Sequence, residues 1–409
     1  MSHKKELIKN FLSFGAVDIL GLLIPIITMP ILTRALGPSQ YGVYMLLLTI
    51  LYFGHTIIDY GTHYTAVRKL ATLRDNASEV SRLYQETQGL RIFLCLLYSM
   101  GAILYSVFLS FDDAVLYMVL SSLTYLFGYA LTPIWFYQGI GAVDCAMKVS
   151  LLSKFFNLVV IVFAVNSPDD LVIVLASLCV PMLFGGLYLS VHVSMRYRVA
   201  LPALTRLKKS FGDGRDVFIG LLAPNFYNTI PTIALGTIYS PADFVNFAIA
   251  TRLVSIIIVI QNVVAKAAYP VITLMKSSQV NKLLVTNFII SIIPAIIIIS
   301  MGEWGLTIFL GHNYSGVNQY LIVLCVGVIF IGLSNAISQG YFLPNGYDSL
   351  YRNVSLRVSF ISALISIILI YMYGLLGGAL AMTVARVLFF FDYFILYKFK
   401  FYNSLARKI

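Results

Sequence analysis

Residues 11–60 read FLSFGAVDILGLLIPIITMPIL (11–32), TRALGPSQ (33–40) and YGVYMLLLTILYFGHTIIDY (41–60). Each apolar run is long enough for a helix to cross the ~30 Å hydrocarbon layer, which takes about 20 residues at ~1.5 Å rise. With the short break between them, the two runs predict a membrane hairpin. Neither helix is uniformly apolar. At ~100° per residue, Asp18, Gly21, Pro25 and Thr28 fall on one face of the first. Tyr52, His55 and Asp59 form a polar stripe near the inner end of the second. These stripes predict the walls of an aqueous cavity, with helix–helix glue as an equal alternative for Tyr52 and His55. Asp18 reads as functional, because intramembrane carboxylates are rare and expensive.

The rest of the chain continues in the same vein. Of 409 residues, 59% are hydrophobic and only 11% charged, a balance foreign to soluble globular proteins of this size. Further spans are expected at 92–110, 114–137, 149–166, 170–193, 216–238, 243–265, 284–301, 318–341, 357–373 and 376–397, about twelve helices in all. The N-terminal apolar run is of full span length without a cleavage pattern, so it is expected to stay attached. The four cysteines sit singly, with no CxxC and no histidine at ligand spacing, which argues against a disulfide framework or a zinc site.

A net charge of +11 raises the question of nucleic acid, and the placement of the charge answers it. Of the 28 Lys and Arg residues, 25 fall on one side of the expected bundle, Arg91 and Arg357 among them, while the opposite connections are short and often acidic. By the positive-inside rule both termini are cytoplasmic. Topology therefore accounts for the basic loops better than nucleic-acid binding does, and anionic lipid headgroups are further partners for them.

Three basic residues break the pattern. Arg34 lies at the outer end of the first helix, in reach of the interface. Arg252 and Arg386 fall near mid-membrane in the eighth and twelfth helices, where a guanidinium needs a carboxylate, carbonyls, water or an anionic ligand. Arg252, Asn262 and Lys266 share one stripe of the eighth helix, and Asn225, Asn228, Thr232 and Gly236 line another on the seventh. The structural alternative is that Arg252 or Arg386 pairs with Asp18 or Asp392 and locks the bundle. Ser355, Ser359, Ser362 and Ser366 recur at helical spacing and predict a closely packed eleventh helix. Trp135 and Tyr137 are expected in interface belts.

A basic, weakly apolar linker at 196–215 splits the chain into two expected lobes, 1–195 and 216–409. Gly21-Leu-Leu-Ile-Pro25 echoes Gly220-Leu-Leu-Ala-Pro224, and Gly37-Pro38 before the second helix echoes Ser240-Pro241 before the eighth. Two six-helix lobes of like orientation would be related by a pseudo-two-fold along the membrane normal, with a substrate path between them and alternating access by rocking.

At Gly37-Pro-Ser-Gln-Tyr41-Gly42-Val-Tyr44, Asp59-Tyr-Gly61 and Ala66-Val-Arg68 the chain resembles bacterial polysaccharide-export proteins. Pro133-Ile-Trp135-Phe-Tyr-Gln138-Gly139 is similar to the Trp-aromatic-aromatic-Gln-Gly motif of Wzx-type O-antigen flippases, and Tyr269-Pro270 fits as well. Gly141-Ala-Val-Asp144 departs from the acidic-then-basic run usual after that motif. The resemblance covers essentially the whole chain. It implies an all-α, polytopic, MATE-like member of the multidrug/oligosaccharidyl-lipid/polysaccharide exporter superfamily in the bacterial cytoplasmic membrane. Its expected cargo is an undecaprenyl-pyrophosphate-linked oligosaccharide repeat, and its expected protein partners are a polysaccharide polymerase and a chain-length regulator. Arg252 and Lys266, with Arg34 and Arg386, can supply fixed positive charge to a pyrophosphate. Asn225, Asn228, Asn262 and Tyr52 are candidates for the sugars. Asp18, His55 and Asp59 are the groups able to carry a coupling proton. No ATP-binding loop and no cofactor signature is expected.

Two rivals remain at this point. A drug/cation antiporter of the same superfamily would want an anionic cavity, against which the two mid-membrane arginines argue. A polysaccharide polymerase would want a large outward loop, whereas 302–317, with His312, is the longest available.

Overall fold

The computed structural model describes residues 3–73, 76–204, 207–275, 280–342 and 347–406, with side chains described there except at 3–23, 208, 262–275, 301, 348 and 400–406. Among the described residues every regular element is helical. In order these are α1 (His3–Asp59), α2 (Thr62–Leu73), α3 (Ala77–Ser106), α4 (Ala114–Ser121), α5 (Phe127–Leu131), α6 (Ile134–Ile140), α7 (Asp144–Ala164) and α8 (Leu171–Tyr197), followed by α9 (Leu207–Leu222), α10 (Thr229–Ile238), α11 (Pro241–Met275), α12 (Val280–Leu310), α13 (Val317–Ile337) and α14 (Asp348–Ala406). Among the described residues nine helical segments are long and apolar enough to cross a membrane.

Two of these segments, Ile24–Leu73 and Ser349–Phe399, are far longer than one crossing requires. Each is bent at a glycine in the left-handed region, Gly37 (φ 68°) in α1 and Gly374 (φ 58°) in α14, where an L side chain would be strained. The predicted break at 33–40 is thus concentrated in one residue, followed by Pro38. In α14 the bend folds the helix back on itself. Arg357 Nε lies 3.0 Å from Asp392 Oδ2, although 35 residues of straight helix would separate them by about 50 Å. At the turn, a Cβ added to Gly377 would lie 1.9 Å from the Leu369 carbonyl oxygen, so only glycine fits there.

Other helices are discontinuous. α4 runs through a π-type stretch, Ser122–Leu126, into α5, which stops at extended Thr132 (φ −71°, ψ 108°) because Pro133 follows. α9 gives way to a tight turn, Ala223–Phe226, before α10, so the Pro224 and Pro241 echoes fall at a break and at the start of α11.

The chain forms two compact units, Met1–Leu222 and Ala223–Ile409. The first has a core of Leu70, Tyr84, Trp135, Phe136 and Tyr137, each fully buried. Trp135 and Tyr137 therefore do not form an interface belt. Trp135 Nε1 donates to Gln88 Oε1 at 3.0 Å, and the Tyr137 hydroxyl lies 2.8 Å from His192 Nδ1, so their polar ends have partners inside the protein. The second unit packs Tyr227, Tyr341, Phe342, Phe389 and Tyr393 together. Its serine ladder, Ser355, Ser359, Ser362 and Ser366, is wholly buried, as expected for close helix packing. Phe108, Phe163 and Met195 of the first unit and Tyr371 of the second are exposed large apolar side chains, which in water would drive association and which suit a lipid environment.

Candidate functional site

Asp59 closes α1, and the next two residues, Tyr60 (φ 44°) and Gly61 (φ 75°), turn the chain into α2. This turn brings His63 back beside Asp59, with Nε2 3.5 Å from Oδ2. On the other side stands Arg91 of α3, whose guanidinium is ion-paired to Asp59 and only 2% exposed. Sequence reading counted Arg91 among the inner loop charges, but α3 begins at Ala77, capped by Asn76, and carries Arg91 into the packed interior. The fork is fully used. Nε donates to Ala130 O (3.3 Å), Nη2 to Tyr129 O (2.9 Å) and Thr132 O (3.4 Å), and Nη1 also reaches Thr62 Oγ1 at 3.4 Å. Gln88, one turn earlier, donates to Ala130 O at 3.3 Å and Leu131 O at 3.1 Å.

These carbonyls lie at the end of α5 and at Thr132 just beyond it, where Pro133 supplies no N–H to the ladder; the Tyr129 carbonyl also accepts from Thr132 N at 3.2 Å. Arg91 and Gln88 thus cap a helix break inside the protein, which explains how an irregular backbone is tolerated there. The cap also holds the Trp135–Gly139 motif in place. Trp135 is bonded to Gln88, and Gln138 Oε1 accepts from His63 Nδ1 at 3.2 Å.

The Asp59 carboxylate has a third partner, the Tyr129 hydroxyl, which donates at 2.5 Å. Tyr129 in turn lies flat against His55, centroids 3.6 Å apart and planes within 9°. Tyr52 and Tyr125 surround the same imidazole, and His55 Nε2 has no hydrogen-bond partner among the described residues. The stripe Tyr52, His55, Asp59 is therefore assembled, with His55 stacked between Tyr125 and Tyr129, Tyr52 tilted against it and Asp59 engaged by a cation. An open cavity of about 460 Å³ lies beside it, lined by His55, Asp59, His63 and Gln138 among others.

The second unit presents a contrasting cation. Arg386, in the return arm of α14, is buried, and its Nη1 has no hydrogen-bond partner among the described residues. Tyr227 and Cys325 are its electrostatic neighbours, neither a standing negative charge. Asp392 pairs with Arg357 instead, so it is not the carboxylate that locks Arg386; the side chain of Asp18, the other partner of that alternative, lies outside the described residues.

Arg252 is half-buried on α11 and Arg34 exposed on α1, and each has an interaction partner. Asn225 Oδ1 accepts from Thr229 Oγ1 at 2.7 Å, so its side chain serves the break between α9 and α10, and the main-chain carbonyl of Asn228 accepts from Thr232 Oγ1 at 2.6 Å. The side chains of Asp18, Asn262 and Lys266 lie outside the described residues. Sequence reading did not single out Arg91, His63, Gln88 or Tyr129. His63 was within reach, being one turn beyond Asp59, and Gln138 sat in a motif without a role.

Residues 7–276 match the family model described as polysaccharide biosynthesis protein. A relative from Shigella dysenteriae, named "Putative O-antigen transporter", is 23% identical over 394 residues, covering 94% of this chain and 97% of its own. Its namesake from Escherichia coli K12 is also 23% identical, covering 95% of both chains. Among solved structures, the lipid II flippase MurJ in an inward closed conformation superposes with a TM-score of 0.73 at 13% identity, over 96% of this chain and 87% of that one. An inward-facing multidrug resistance MATE transporter of the MOP superfamily gives 0.71 at 14% identity, over 97% and 99%. These structural likenesses establish a MATE-like fold, in keeping with the nine membrane-length helical segments among the described residues. The family match spans well over half of the sequence and agrees with the motifs at Gly37 and Trp135: the chain belongs to the polysaccharide biosynthesis protein family.

Proposed function

We propose that this protein is a flippase that carries an undecaprenyl-pyrophosphate-linked oligosaccharide repeat across the bacterial cytoplasmic membrane. It does so without covalent chemistry, by alternating access of two six-helix lobes. Twelve spans follow if the bent α1 and α14 each cross twice and α9 with α10 forms one broken crossing, with both termini cytoplasmic and 196–215 as the linker between lobes 1–195 and 216–409. The full-length likeness to the O-antigen relatives supports the cargo class. The observation that carries the mechanism is Arg386, a buried guanidinium with an unbonded Nη1 and no carboxylate partner among the described residues. A charge so placed is costly until an anion arrives, and a pyrophosphate is a suitable anion. A cation antiporter would instead be hindered by it. Arg252 and Lys266 are the further cations of this reading, and Asp18, His55 and Asp59 are its candidates to carry a coupling proton. A polysaccharide polymerase and a chain-length regulator are the expected partners downstream.

The test is made in cells that assemble the repeat unit. Loss of the protein should trap lipid-linked repeats on the inner leaflet and empty the surface of polysaccharide, and Arg386→Ala should fail to restore it despite normal insertion. Normal surface polysaccharide with Arg386→Ala would remove the anion site. Short, unpolymerised chains at the surface of the deletion strain would point to a polymerase.

A further inference from the structure

The cavity of the first unit has chemistry of its own. Its wall includes Thr56, Asp59, His63, Tyr64 and Gln138, with His55 behind them. Asp59 is engaged by Arg91, Tyr129 and His63, so its charge is balanced within the wall. A site of this kind offers little to an inorganic cation or to a phosphate, each of which needs an opposing charge. It does offer neutral hydrogen bonding. The Gln138 side-chain nitrogen and the Thr56 hydroxyl make no hydrogen bond to another residue among the described residues. It offers an aromatic side chain too, because Tyr64, at the cavity wall, is 62% exposed. At about 460 Å³ the space falls within the range of small-molecule sites.

Hydroxyl groups need donors and acceptors in pairs, and the C–H faces of a pyranose need an apolar ring to cover them. We infer that this cavity binds the saccharide part of the cargo, with Gln138 and Thr56 hydrogen-bonding sugar hydroxyls, His63 holding Gln138 in place through its Nδ1, and Tyr64 covering a ring face. The inference rests on the lipid-linked oligosaccharide reading and adds to it a site in the first unit that selects by sugar. It also gives the Trp135–Gly139 motif a task. The buried tryptophan, bonded to Gln88, fixes the segment, and Gln138 three residues on reads the ligand.

Binding of two probes to the full-length protein in nanodiscs tests this: polyprenyl pyrophosphate bearing the repeat oligosaccharide, and the same lipid without sugar. Wild type should bind the sugar-bearing lipid more tightly. Gln138→Leu and Tyr64→Ala should each weaken it about tenfold, the loss of one good contact, and leave the sugarless lipid unchanged. Tyr64→Ala, at an exposed ring, keeps the test independent of the bond between Gln138 and His63. Equal wild-type affinity for the two probes, or variants that weaken both alike, overturns the sugar site while the lipid cargo stands. Failure of wild type to bind either probe overturns the cargo reading and the site with it.

Discussion

Arg91 and Arg386 are both buried guanidiniums, and their surroundings give them opposite tasks. Arg91 meets a carboxylate and the carbonyls of Tyr129, Ala130 and Thr132, so its donors are matched and its role is to hold. Removing one member of such a pair strands the other in a medium that cannot solvate it. Arg91→Ala should therefore cost about 3–5 kcal/mol, read as a lower unfolding temperature in detergent. Arg91→Lys should rescue little, since an ammonium cannot span carbonyls and carboxylate as the planar fork does. Arg386 behaves in the reverse sense. With Nη1 unbonded it weakens the resting fold, and Arg386→Met should leave the unfolding temperature unchanged or raise it while export is lost. A lowered unfolding temperature with export intact would make Arg386 a structural residue. Arg252→Ala should likewise abolish export with insertion preserved, and Arg252→Lys should keep part of the activity if charge alone matters. The sequence revealed Arg386 because it stands alone in an apolar run. It concealed Arg91, which lies at the foot of a run among other basic residues and whose partner is 32 positions away.

At the level of the helices, glycine decides where chain segments approach. A Cβ on Gly186 of α8 would lie 2.2 Å from the Gly128 carbonyl oxygen of α5, and one on Gly128 would lie 2.5 Å from the Met182 carbonyl oxygen. Gly186→Val should force these helices apart and sharply reduce folded protein in the membrane. Gly377→Leu should do the same by opening the α14 hairpin. Gly212→Ala, with no atom within 4 Å of the new methyl, should be tolerated and gain up to about 1 kcal/mol of helix stability. Solubility or fluorescence-detected gel filtration of the three variants distinguishes these outcomes. Much at this scale was legible. The apolar runs gave the helices, the 33–40 interruption gave the bend at Gly37, and the serine spacing gave a buried face. The aromatic motif was not, because a tryptophan after an apolar run reads equally as an interface anchor or as core. Only the position of Gln88, 47 residues earlier in the chain, decides between them.

For the molecule as a whole, alternating charge predicts that both ends and the stretch around residues 196–215 share the cytoplasmic side, whereas 302–317 faces outward. Single cysteines at exposed Arg198 and at His312 should then react from opposite sides of sealed vesicles, and labelling of both from one side would overturn that topology. The central claim, that the protein moves a lipid-linked oligosaccharide between leaflets, is tested most directly by reconstitution. The full chain is placed in sealed liposomes containing the polyprenyl-pyrophosphate-linked repeat, and a membrane-impermeant glycosidase is added outside. Transport predicts that the inner-leaflet pool becomes accessible with wild type and stays protected with Arg386→Met. An inner pool as protected with wild type as in protein-free liposomes would contradict it.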